Sequence, residues 1–417
     1  MKVQIVTISL GLLFVALTSV EAGILNSNTC DRITQHGYPC QNYTVTTSDG
    51  YLLTLFRIPH AHGEIESAKE DIVRPPVLMM HCLLCSSDIF VLNGPDDGLP
   101  FMLADVGYDV WFGNARGNTY SQRHISLSPT SEAFWTFSLH EIALIDVPTT
   151  IDYILEATNE PRLHYISYSQ GSTVFMILQS AKPEYGRKIR TSHLMAPTVF
   201  MRHIRVPLFW LLAQLLGQSG AAANFIGTFP SQDLMGMVRV LSRRVCMAPQ
   251  TQTLCIQILN IIGGWDSPYL NRTLLPELLL TTPADGSNLQ LNQYLQFAMT
   301  GEFKAYDFGK EKNILQYGQP QPPAYDLRNV RTEVPIEFYF ADNDYLATWQ
   351  DIKHLRNVIG KQGNWNRIKL KKFNHFDFTL GLNVKQCLND CILDRMEKNE
   401  GRAFNGSLCK YFRNKAF

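Results

Sequence analysis

The chain has 417 residues, and its 37 basic side chains balance its 37 acidic ones. This balance gives no reason to expect a nucleic acid or an anionic surface as a partner. The length exceeds that of one ordinary domain, but it suits one large α/β core that carries an insertion.

The first predicted element is a targeting segment. A short apolar run from Ile5 to Leu17 precedes Val20-Glu21-Ala22, a pattern typical of a secretory signal peptide that is cleaved after Ala22. We therefore predict a signal peptide at residues 1–22 and a secreted protein. No later stretch reaches the roughly 18 apolar residues that a membrane helix needs, so no transmembrane segment is predicted. Three sequons fit a secreted glycoprotein, at Asn42, Asn271 and Asn405.

Two strand candidates in the first half of the chain each end at a loop. Pro76 to Met80 is short and apolar, and His81-Cys82-Leu83 follows it directly. Leu163 to Tyr168 is apolar and aromatic, and it leads through Ser169 into a helix-like stretch. Runs of this kind predict buried strands of a parallel sheet.

Ser169 has the surroundings of a nucleophile elbow. In such an elbow, a sharp turn between a strand and a helix exposes the Ser hydroxyl, and small neighbours allow the two elements to pass closely. The usual motif is Gly-x-Ser-x-Gly, and this chain has Ser167 in the first position and Gly171 in the last. The motif alone is weak evidence, so the interpretation depends on the partners of Ser169.

An oxyanion hole is the second part of such a site. It needs two backbone N–H groups, one from the residue after the nucleophile and one from a loop after an early strand. The first would belong to Gln170, and the second to the loop that begins at His81. Hydrolases commonly have His-Gly at that place, whereas this chain has His81-Cys82.

An insertion is predicted between the Ser and its partners. Ser169 and Asp344 are separated by 175 positions (344 − 169), too many for two strand-helix units. We place the insertion at residues 202–323, between core parts at 23–201 and 324–417. Its first segment, Val206 to Leu216, has only one polar side chain. This segment is either a cap helix that is buried on all sides or a lid whose apolar face meets lipid.

The remaining partners of a Ser nucleophile are a base and a carboxylate that orients it. The alternating, aromatic segment Val334 to Phe340 predicts a strand, and its end is followed by Asp342 and Asp344. His375 follows a shorter predicted strand from Arg367 to Lys371. Loops after neighbouring parallel strands lie at one sheet edge, so an acid and a His can meet the Ser there. The residues alone leave both aspartates as candidates for the acid.

Several sequence runs carry a family resemblance. They include Asp49-Gly50-Tyr51-Leu52-Leu53, Leu103 to Tyr120, Asp146-Val147-Pro148, Tyr306-Asp307-Phe308-Gly309 and Asn374 to Phe378. With these runs, from about Cys30 to about Gly381, the chain resembles the acid lipase family, which contains gastric lipase, lysosomal acid lipase and secreted insect relatives.

The resemblance implies a fold and a set of roles. The fold is an α/β-hydrolase core with a mostly parallel sheet and an inserted, mainly helical cap. The implied roles, without any metal or cofactor, are Ser169 as the nucleophile, Asp344 as the acid, His375 as the base, and the N–H groups of Leu83 and Gln170 as oxyanion donors. The nine cysteines leave at least one unpaired, and the resemblance implies one disulfide, Cys246 to Cys255, with the other pairings open.

Two positions depart from the family motifs. The elbow is typically Gly-His-Ser-Gln-Gly, and the chain has Ser167 at the first position. The oxyanion loop is typically His-Gly-Leu, and the chain has Cys82 at the second. A Cβ at Cys82 would tilt the Leu83 N–H if the backbone there requires a conformation reserved for glycine.

We therefore predict a secreted ester hydrolase that acts on fatty-acyl esters, triacylglycerol or steryl ester, at a lipid interface. A lysosomal location is the alternative to secretion, and the oligomeric state is not predicted. The alternative function is a catalytically weakened homologue that binds lipid without efficient turnover. A structural protein of a secreted fluid is the third hypothesis, and the complete set of Ser, His and Asp argues against it.

Overall fold

The computed structural model describes residues 27–64, 73–216, 241–242, 245–246, 250–403 and 409–413. The predicted signal peptide at residues 1–22 and the sequon at Asn405 lie outside the described residues, as does part of the predicted insertion.

A single sheet of nine strands forms the centre of the fold, in the order β1-β2-β4-β3-β5-β6-β7-β8-β9. The six strands from β4 to β8 in this order are parallel, and β1, β2 and β9 pair antiparallel at the two edges. The strands are β1 Gln41–Thr46, β2 Leu52–Ile58, β3 Pro76–Met80, β4 Asp109–Gly113, β5 Leu163–Tyr168, β6 Ile189–Met195, β7 Ile336–Phe340, β8 Gly363–Ile368 and β9 Phe412–Arg413.

Helices lie in most of the connections between the strands, from the connection between β3 and β4 onward. The α-helices are α1 Thr29–Thr34, α2 Gly94–Asp97, α3 Leu99–Asp105, α4 Leu139–Glu141, α5 Val147–Thr158, α6 Gln170–Ala181, α7 Pro207–Leu216, α8 Gln252–Gly263, α9 Leu275–Thr281, α10 Asn288–Thr300, α11 Lys310–Tyr317, α12 Trp349–Ile359, α13 Asp377–Leu380 and α14 Asp390–Asn399. The π-helical turns Ile142–Asp146 and Lys385–Asn389 precede α5 and α14. Short 3₁₀ turns lie at Ser87–Phe90, Glu132–Trp135, Pro183–Lys188, Arg272–Leu274, Leu327–Asn329 and Gly360–Gln362.

The central strands have the continuous apolar sequences expected of a sheet that is covered on both faces. Every residue of β3, β4, β5 and β7 is buried. The predicted strand at Pro76 to Met80 has the predicted bounds, and the strand predicted from Val334 begins two residues later, at Ile336. The predicted α/β-hydrolase architecture with a mostly parallel sheet is therefore confirmed.

The strand predicted before His375 is wrong in its bounds. β8 runs from Gly363 to Ile368 and not from Arg367 to Lys371. The chain leaves the sheet after Ile368, and Lys371 and Lys372 are exposed to solvent. The apolar side chains that fix the strand are those of Trp365 and Ile368, and the basic run after them belongs to a loop.

Between β6 and β7, the described part of the chain contains the helices α7 to α11 and two short 3₁₀ turns, Arg272–Leu274 and Leu327–Asn329. All of them except the turn Leu327–Asn329 fall inside the predicted insertion at residues 202–323, and the division of this insertion from the core stays a prediction. Because β6 and β7 are paired neighbours, this whole segment leaves the sheet and returns to the adjacent position. Its described residues meet the loops that follow β7 and β8, since the Gly263 carbonyl accepts from the N–H groups of Tyr345 and His375.

Four disulfides cross-link the described part of the chain. They join Cys30 to Cys40, Cys82 to Cys85, Cys246 to Cys255 and Cys391 to Cys409. Cys387 is the unpaired cysteine that the odd count requires, and burial raises the pKa of its thiol to about 11.

Candidate active site

Ser169 occupies a strained turn between β5 and α6. Its backbone has φ 54° and ψ −110°. A residue with a Cβ rarely adopts these backbone angles. The Ser169 N–H donates to the carbonyl of Met195 at 2.9 Å, which ties the turn to the end of β6. A Cβ on Gly171 would lie 2.3 Å from the carbonyl oxygen of Met80, so the close passage of helix and strand requires glycine there. This is the geometry of the predicted elbow.

Ser167, the first departure from the family motif, is accommodated inside the elbow. Its side chain is completely buried, and its Oγ lies 3.0 Å from Oγ of Ser172. The Ser172 hydroxyl is also within 3.4 Å of the Met195 carbonyl. The extra hydroxyl is therefore satisfied locally, and a buried hydroxyl with a partner costs little.

Ser169, His375 and Asp344 form a continuous chain of hydrogen bonds. His375 Nε2 lies 3.0 Å from Ser169 Oγ, and His375 Nδ1 lies 2.8 Å from Asp344 Oδ2. Asp344 Oδ1 accepts from the N–H groups of Leu346 and Ala347, at 2.9 and 2.8 Å. The side chains of Ser169, His375 and Asp344 are all buried. The arrangement can take a proton from the Ser hydroxyl while the carboxylate keeps the imidazole oriented.

Asp342, the alternative acid, points to a different partner. Its carboxylate accepts a hydrogen bond from Arg367 Nε at 2.7 Å and also pairs with Arg367 Nη2. More than a third of its side chain is exposed. The structure therefore brings Asp344, and not Asp342, to His375.

The two N–H groups predicted for the oxyanion hole belong to Gln170, which directly follows Ser169, and to Leu83. Gln170 is the first residue of α6, and Leu83 lines the same cavity as Ser169 and His375. Within the described residues, neither of these N–H groups donates to another group of the protein. Leu83 therefore has a free N–H group and lies in the cavity wall, and Gln170 has a free N–H group directly after Ser169 in the chain.

The expectation for Cys82 is wrong in its physical reason. Cys82 is not among the residues with positive φ, and the left-handed residue of this loop is Leu84, at φ 55°. A Cβ at position 82 therefore meets no backbone requirement for glycine. Cys82 instead forms a disulfide with Cys85.

An apolar cavity of about 340 Å³ opens at Ser169 and His375. Its wall is built from the oxyanion loop, the elbow and the helices between β6 and β7. The other lining residues are Cys82, Leu83, Leu84, Cys85, Tyr168, Thr198, Met201, Phe209, Leu259, Ile262, Leu278, Thr282, Pro283, Leu291, Tyr294, Leu346 and Phe376. Such a surface accommodates a hydrocarbon chain and offers almost no polar partners away from the Ser hydroxyl.

Comparisons with known proteins identify the family. A family described as "Partial alpha/beta-hydrolase lipase region" matches residues 29–94, and one described as "alpha/beta hydrolase fold" matches residues 75–226. Lipase 3 of Drosophila melanogaster is 34% identical, over 96% of this chain and 99% of its own length. The chain belongs to the acid lipase family of α/β hydrolases. Gastric triacylglycerol lipase of Rattus norvegicus is 34% identical, over 87% of this chain and 89% of its own length. Lipase member K of Homo sapiens is also 34% identical, over 89% of this chain and 91% of its own length.

Family and fold make this acid lipase a carboxylic ester hydrolase. Among its described residues, no cluster of three or more His, Cys, Asp or Glu side chains is arranged to hold a metal ion. No helix in the same residues is long and apolar enough to cross a membrane. Of the predicted glycosylation sites, Asn42 is exposed on β1, and Asn271 is half-buried and accepts from Thr273 N–H at 3.2 Å.

The sequence did not reveal a segment of this acid lipase that supports two loops of the site, the loop that carries Asp344 and the loop that carries His375. The carbonyl of Gly263, at the end of α8, accepts from the N–H of His375 at 3.1 Å and from that of Tyr345 at 3.2 Å. The next carbonyl, that of Gly264, accepts from Asn374 Nδ2 at 3.0 Å. The loop that carries His375 and the loop that carries Asp344 are thus joined through one pair of glycines in the segment between β6 and β7. The sequence feature that could have indicated this segment is the pair Gly263-Gly264, which follows an apolar helical pattern.

Asp377 strengthens the same support. Asp377 is the first residue of α13, and no side chain caps the start of this helix. Its Oδ2 accepts from Asn374 N–H at 2.7 Å and from Ser267 Oγ at 2.6 Å. Burial raises the pKa of Asp377 to about 7. The carboxyl group therefore links the loop that carries His375 to the segment between β6 and β7 at a third point, Ser267.

Substituting Gly264 tests this support. A Cβ at Gly264 would lie 1.7 Å from the carbonyl oxygen of Asn343, and its φ of 139° is unsuited to other residues. We expect Gly264→Ala to lower kcat at least tenfold, since a displacement of about 1 Å can cost about a hundredfold. Gly309→Ala is the matched control, because Gly309 also has positive φ, at 88°, but open space around its Cβ position. Equal kcat values in the two variants would contradict the support role.

Proposed function

We propose that this acid lipase is secreted and hydrolyses fatty-acyl esters through Ser169, His375 and Asp344. The observation that carries the proposal is the hydrogen-bonded chain from Ser169 Oγ through His375 to Asp344 at the mouth of an apolar cavity. These three hydrogen-bonded side chains lie at one end of a cavity that is otherwise mostly apolar. An ester carbonyl can bind at that end while its acyl chain lies in the cavity.

In the first half of the reaction, Ser169 Oγ attacks the ester carbonyl carbon while His375 Nε2 takes the hydroxyl proton. Asp344 keeps the proton of His375 on Nδ1 and stabilises the imidazolium. Its own orientation is fixed by the two N–H groups that bind Oδ1. The oxyanion of the tetrahedral intermediate accepts from the N–H groups of Leu83 and Gln170.

Collapse of this intermediate breaks the ester C–O bond, and His375 returns its proton to the leaving alcohol. An acyl group now remains on Ser169. Water then attacks the acyl carbon while His375 takes one proton from it. The second intermediate collapses by breaking the bond between the acyl carbon and Ser169 Oγ, and His375 returns the proton to Oγ, which releases a fatty acid and restores the Ser169 hydroxyl. The same oxyanion donors serve both halves of the reaction.

The cavity wall favours an acyl chain over a polar substrate. Apart from the Ser169 and His375 end, its lining is mostly apolar, and most of its apolar side chains come from the oxyanion loop and the helices between β6 and β7. Burying hydrocarbon from water contributes about 25 cal/mol per Å², so chain length adds to the binding free energy. Two substrate classes fit this chemistry, triacylglycerols and steryl esters, which share the fatty-acyl ester and differ in the alcohol.

The outward face of α7 favours the lid interpretation over a helix buried on all sides. Leu208, Trp210 and Leu211 are 65%, 49% and 53% exposed, whereas Phe209 reaches the cavity wall. α8, which also lines the cavity, exposes Leu254 and other apolar side chains. Contiguous exposed apolar surface around a site indicates contact with a lipid or another apolar surface.

Polar substitutions on α7 test the lipid-facing role. We expect Trp210→Ser combined with Leu211→Ser to lower the rate on an emulsified long-chain ester several-fold, because each loss weakens insertion into the lipid surface. The rate on a soluble short-chain ester should remain within about twofold, since neither side chain touches Ser169. Leu315→Ser on α11 is the control, as Leu315 is 87% exposed but does not line the cavity. Equal losses on both substrates would instead assign α7 to plain packing.

The proposed function is tested directly by fatty-acid release from purified protein. The substrates are a trioleoylglycerol emulsion, a cholesteryl oleate emulsion and the soluble ester p-nitrophenyl butyrate. Release from either emulsion supports the proposal and assigns the alcohol. Binding to lipid droplets without release from any substrate would support the weakened homologue. A protein that shows no binding and no release would contradict both functions.

Secretion is proposed from the disulfides. Four pairs in one chain are typical of an oxidising compartment, and a lysosomal location would follow passage through the same compartment. Fractionation of expressing cells separates the two. Accumulation in the medium supports secretion, and retention in the lysosomal fraction supports the alternative.

A further inference from the structure

The oxyanion loop of this protein is closed by a disulfide. Cys82 and Cys85 are bonded to each other across only two residues, with their Cα atoms 5.2 Å apart. The residues between them are Leu83, whose N–H is the proposed oxyanion donor, and Leu84. Both cysteines line the cavity, together with Ser169. Cys82 thus occupies the position at which the sequence motif of the family has glycine, and Cys85 is its disulfide partner.

The backbone of this loop is a tight turn in a conformation that a leucine does not favour. The Cys85 N–H donates to the Cys82 carbonyl at 3.3 Å, which closes a β-turn. Leu84, the third residue of the turn, has φ 55°, and turns with a left-handed residue there usually have glycine. A residue with a Cβ keeps this conformation only where its surroundings hold it. The disulfide joins the two ends of that turn directly.

Hydrogen bonds from outside the turn hold its carbonyl groups and leave the Leu83 N–H free. His81 Nδ1 lies 2.8 Å from the Cys82 carbonyl, and the Ala284 N–H donates to the Leu84 carbonyl at 2.7 Å. His81 Nε2 accepts from the Ala115 N–H at 3.1 Å. Burial lowers the pKa of His81 to about 4, so the ring is neutral at higher pH and donates through Nδ1.

We propose that the Cys82–Cys85 disulfide is a positioning element, which holds the Leu83 N–H at the place where the oxyanion forms. This inference rests on the proposed ester hydrolysis. A dithiol that reduces the bond transfers two electrons and two protons, so that Cys82 and Cys85 become thiols and the dithiol becomes a disulfide. The turn then loses its covalent closure, the Leu83 N–H is no longer fixed, and turnover falls.

The test compares the double variant C82S/C85S with the wild type on p-nitrophenyl butyrate. Loss of an oxyanion donor typically costs about 10²–10³ in kcat, and we expect partial misplacement to lower kcat at least about tenfold. KM should stay within about twofold, because the oxyanion forms only in the transition state. The pH profile of kcat should keep its shape, since the variant leaves Ser169, His375 and Asp344 untouched. A loop with a merely structural role would not separate kcat from KM in this way.

The matched control is C30S/C40S. It removes the disulfide that joins α1 to the residue before β1. Neither Cys30 nor Cys40 lines the cavity. We expect the control to keep the wild-type kcat at temperatures where both variants are folded by circular dichroism. Cys82→Gly should also lower turnover, although it restores the family residue, because it leaves Cys85 without its partner.

Three results would overturn the inference while leaving the proposed function intact. They are an unchanged kcat in C82S/C85S, an equal loss in C30S/C40S, or a shifted pH profile in C82S/C85S. If the double variant does not fold, wild-type protein is treated with increasing dithiothreitol and alkylated, and each opened disulfide is quantified by mass spectrometry. Activity that falls in step with opening of Cys82–Cys85 supports the inference, and activity that survives its opening contradicts it. An inactive wild type would contradict the proposed function itself.

Discussion

Ser169→Ala is expected to abolish ester hydrolysis while the protein remains folded. Removal of the nucleophile from a Ser-His-Asp site costs about 10⁶ in kcat. Ala keeps the Cβ, so the turn at φ 54° is no more strained than before. The lost Oγ has one side-chain partner, His375 Nε2, and no apolar packing is removed. Steady-state rates on a soluble ester and a thermal melt of the same sample check both parts.

Ser172→Ala is the matched control for this loss. Ser172 is also a buried serine of the elbow helix, three residues further along the chain, and its hydroxyl bonds to Ser167 and not to His375. We expect its kcat to stay within about threefold of wild type, as for most substitutions away from a site. Residual turnover near the wild-type level in Ser169→Ala would show that the nucleophile is another group.

The second large effect concerns the acid. We expect Asp344→Asn to lower kcat by about 10⁴, the cost of a His held in the wrong tautomer. The Asn side chain would keep one oxygen for the N–H groups of Leu346 and Ala347, which directs its NH₂ group toward His375 Nδ1. The imidazole would then place its proton on Nε2 and could not accept one from Ser169.

Asp342→Asn is the corresponding control, two residues away on the same loop. Its carboxylate pairs with Arg367 at the partly exposed end of β8, and exposed pairs of this kind contribute about 0.2–1 kcal/mol. We expect a small loss of stability and a kcat within about threefold of wild type. Comparable losses of kcat for the two substitutions would leave Asp344 without a special role.

The parts that sequence predicted well are those encoded by short contiguous patterns. The apolar runs of β3 and β5 predicted buried strands with the observed bounds, because each strand is buried on both faces and shows little alternation. The Ser169-Gln170-Gly171 run predicted the elbow, since the requirement for glycine at position 171 is local. The acid stayed ambiguous until the partner of Asp342, Arg367, was placed beside it.

The parts that sequence did not predict depend on segments far apart in the chain. The carbonyl of Gly263 meets the N–H of His375 across 112 positions (375 − 263), and no local pattern encodes that contact. The Cys82–Cys85 bond was not deduced either, because nine cysteines allow many pairings. The concern over Cys82 assumed a backbone conformation that belongs to Leu84.

The most direct test of the central claim is labelling with a fluorophosphonate, a probe that bonds to the Oγ of an activated serine. Wild-type protein, Ser169→Ala and Ser172→Ala are incubated with the probe, digested and analysed by mass spectrometry. We predict one labelled peptide, which carries the probe on Ser169 in wild type and in Ser172→Ala and is absent from Ser169→Ala. An unlabelled wild type, or a label on any other residue that persists in Ser169→Ala, would contradict the assignment of Ser169 as the nucleophile.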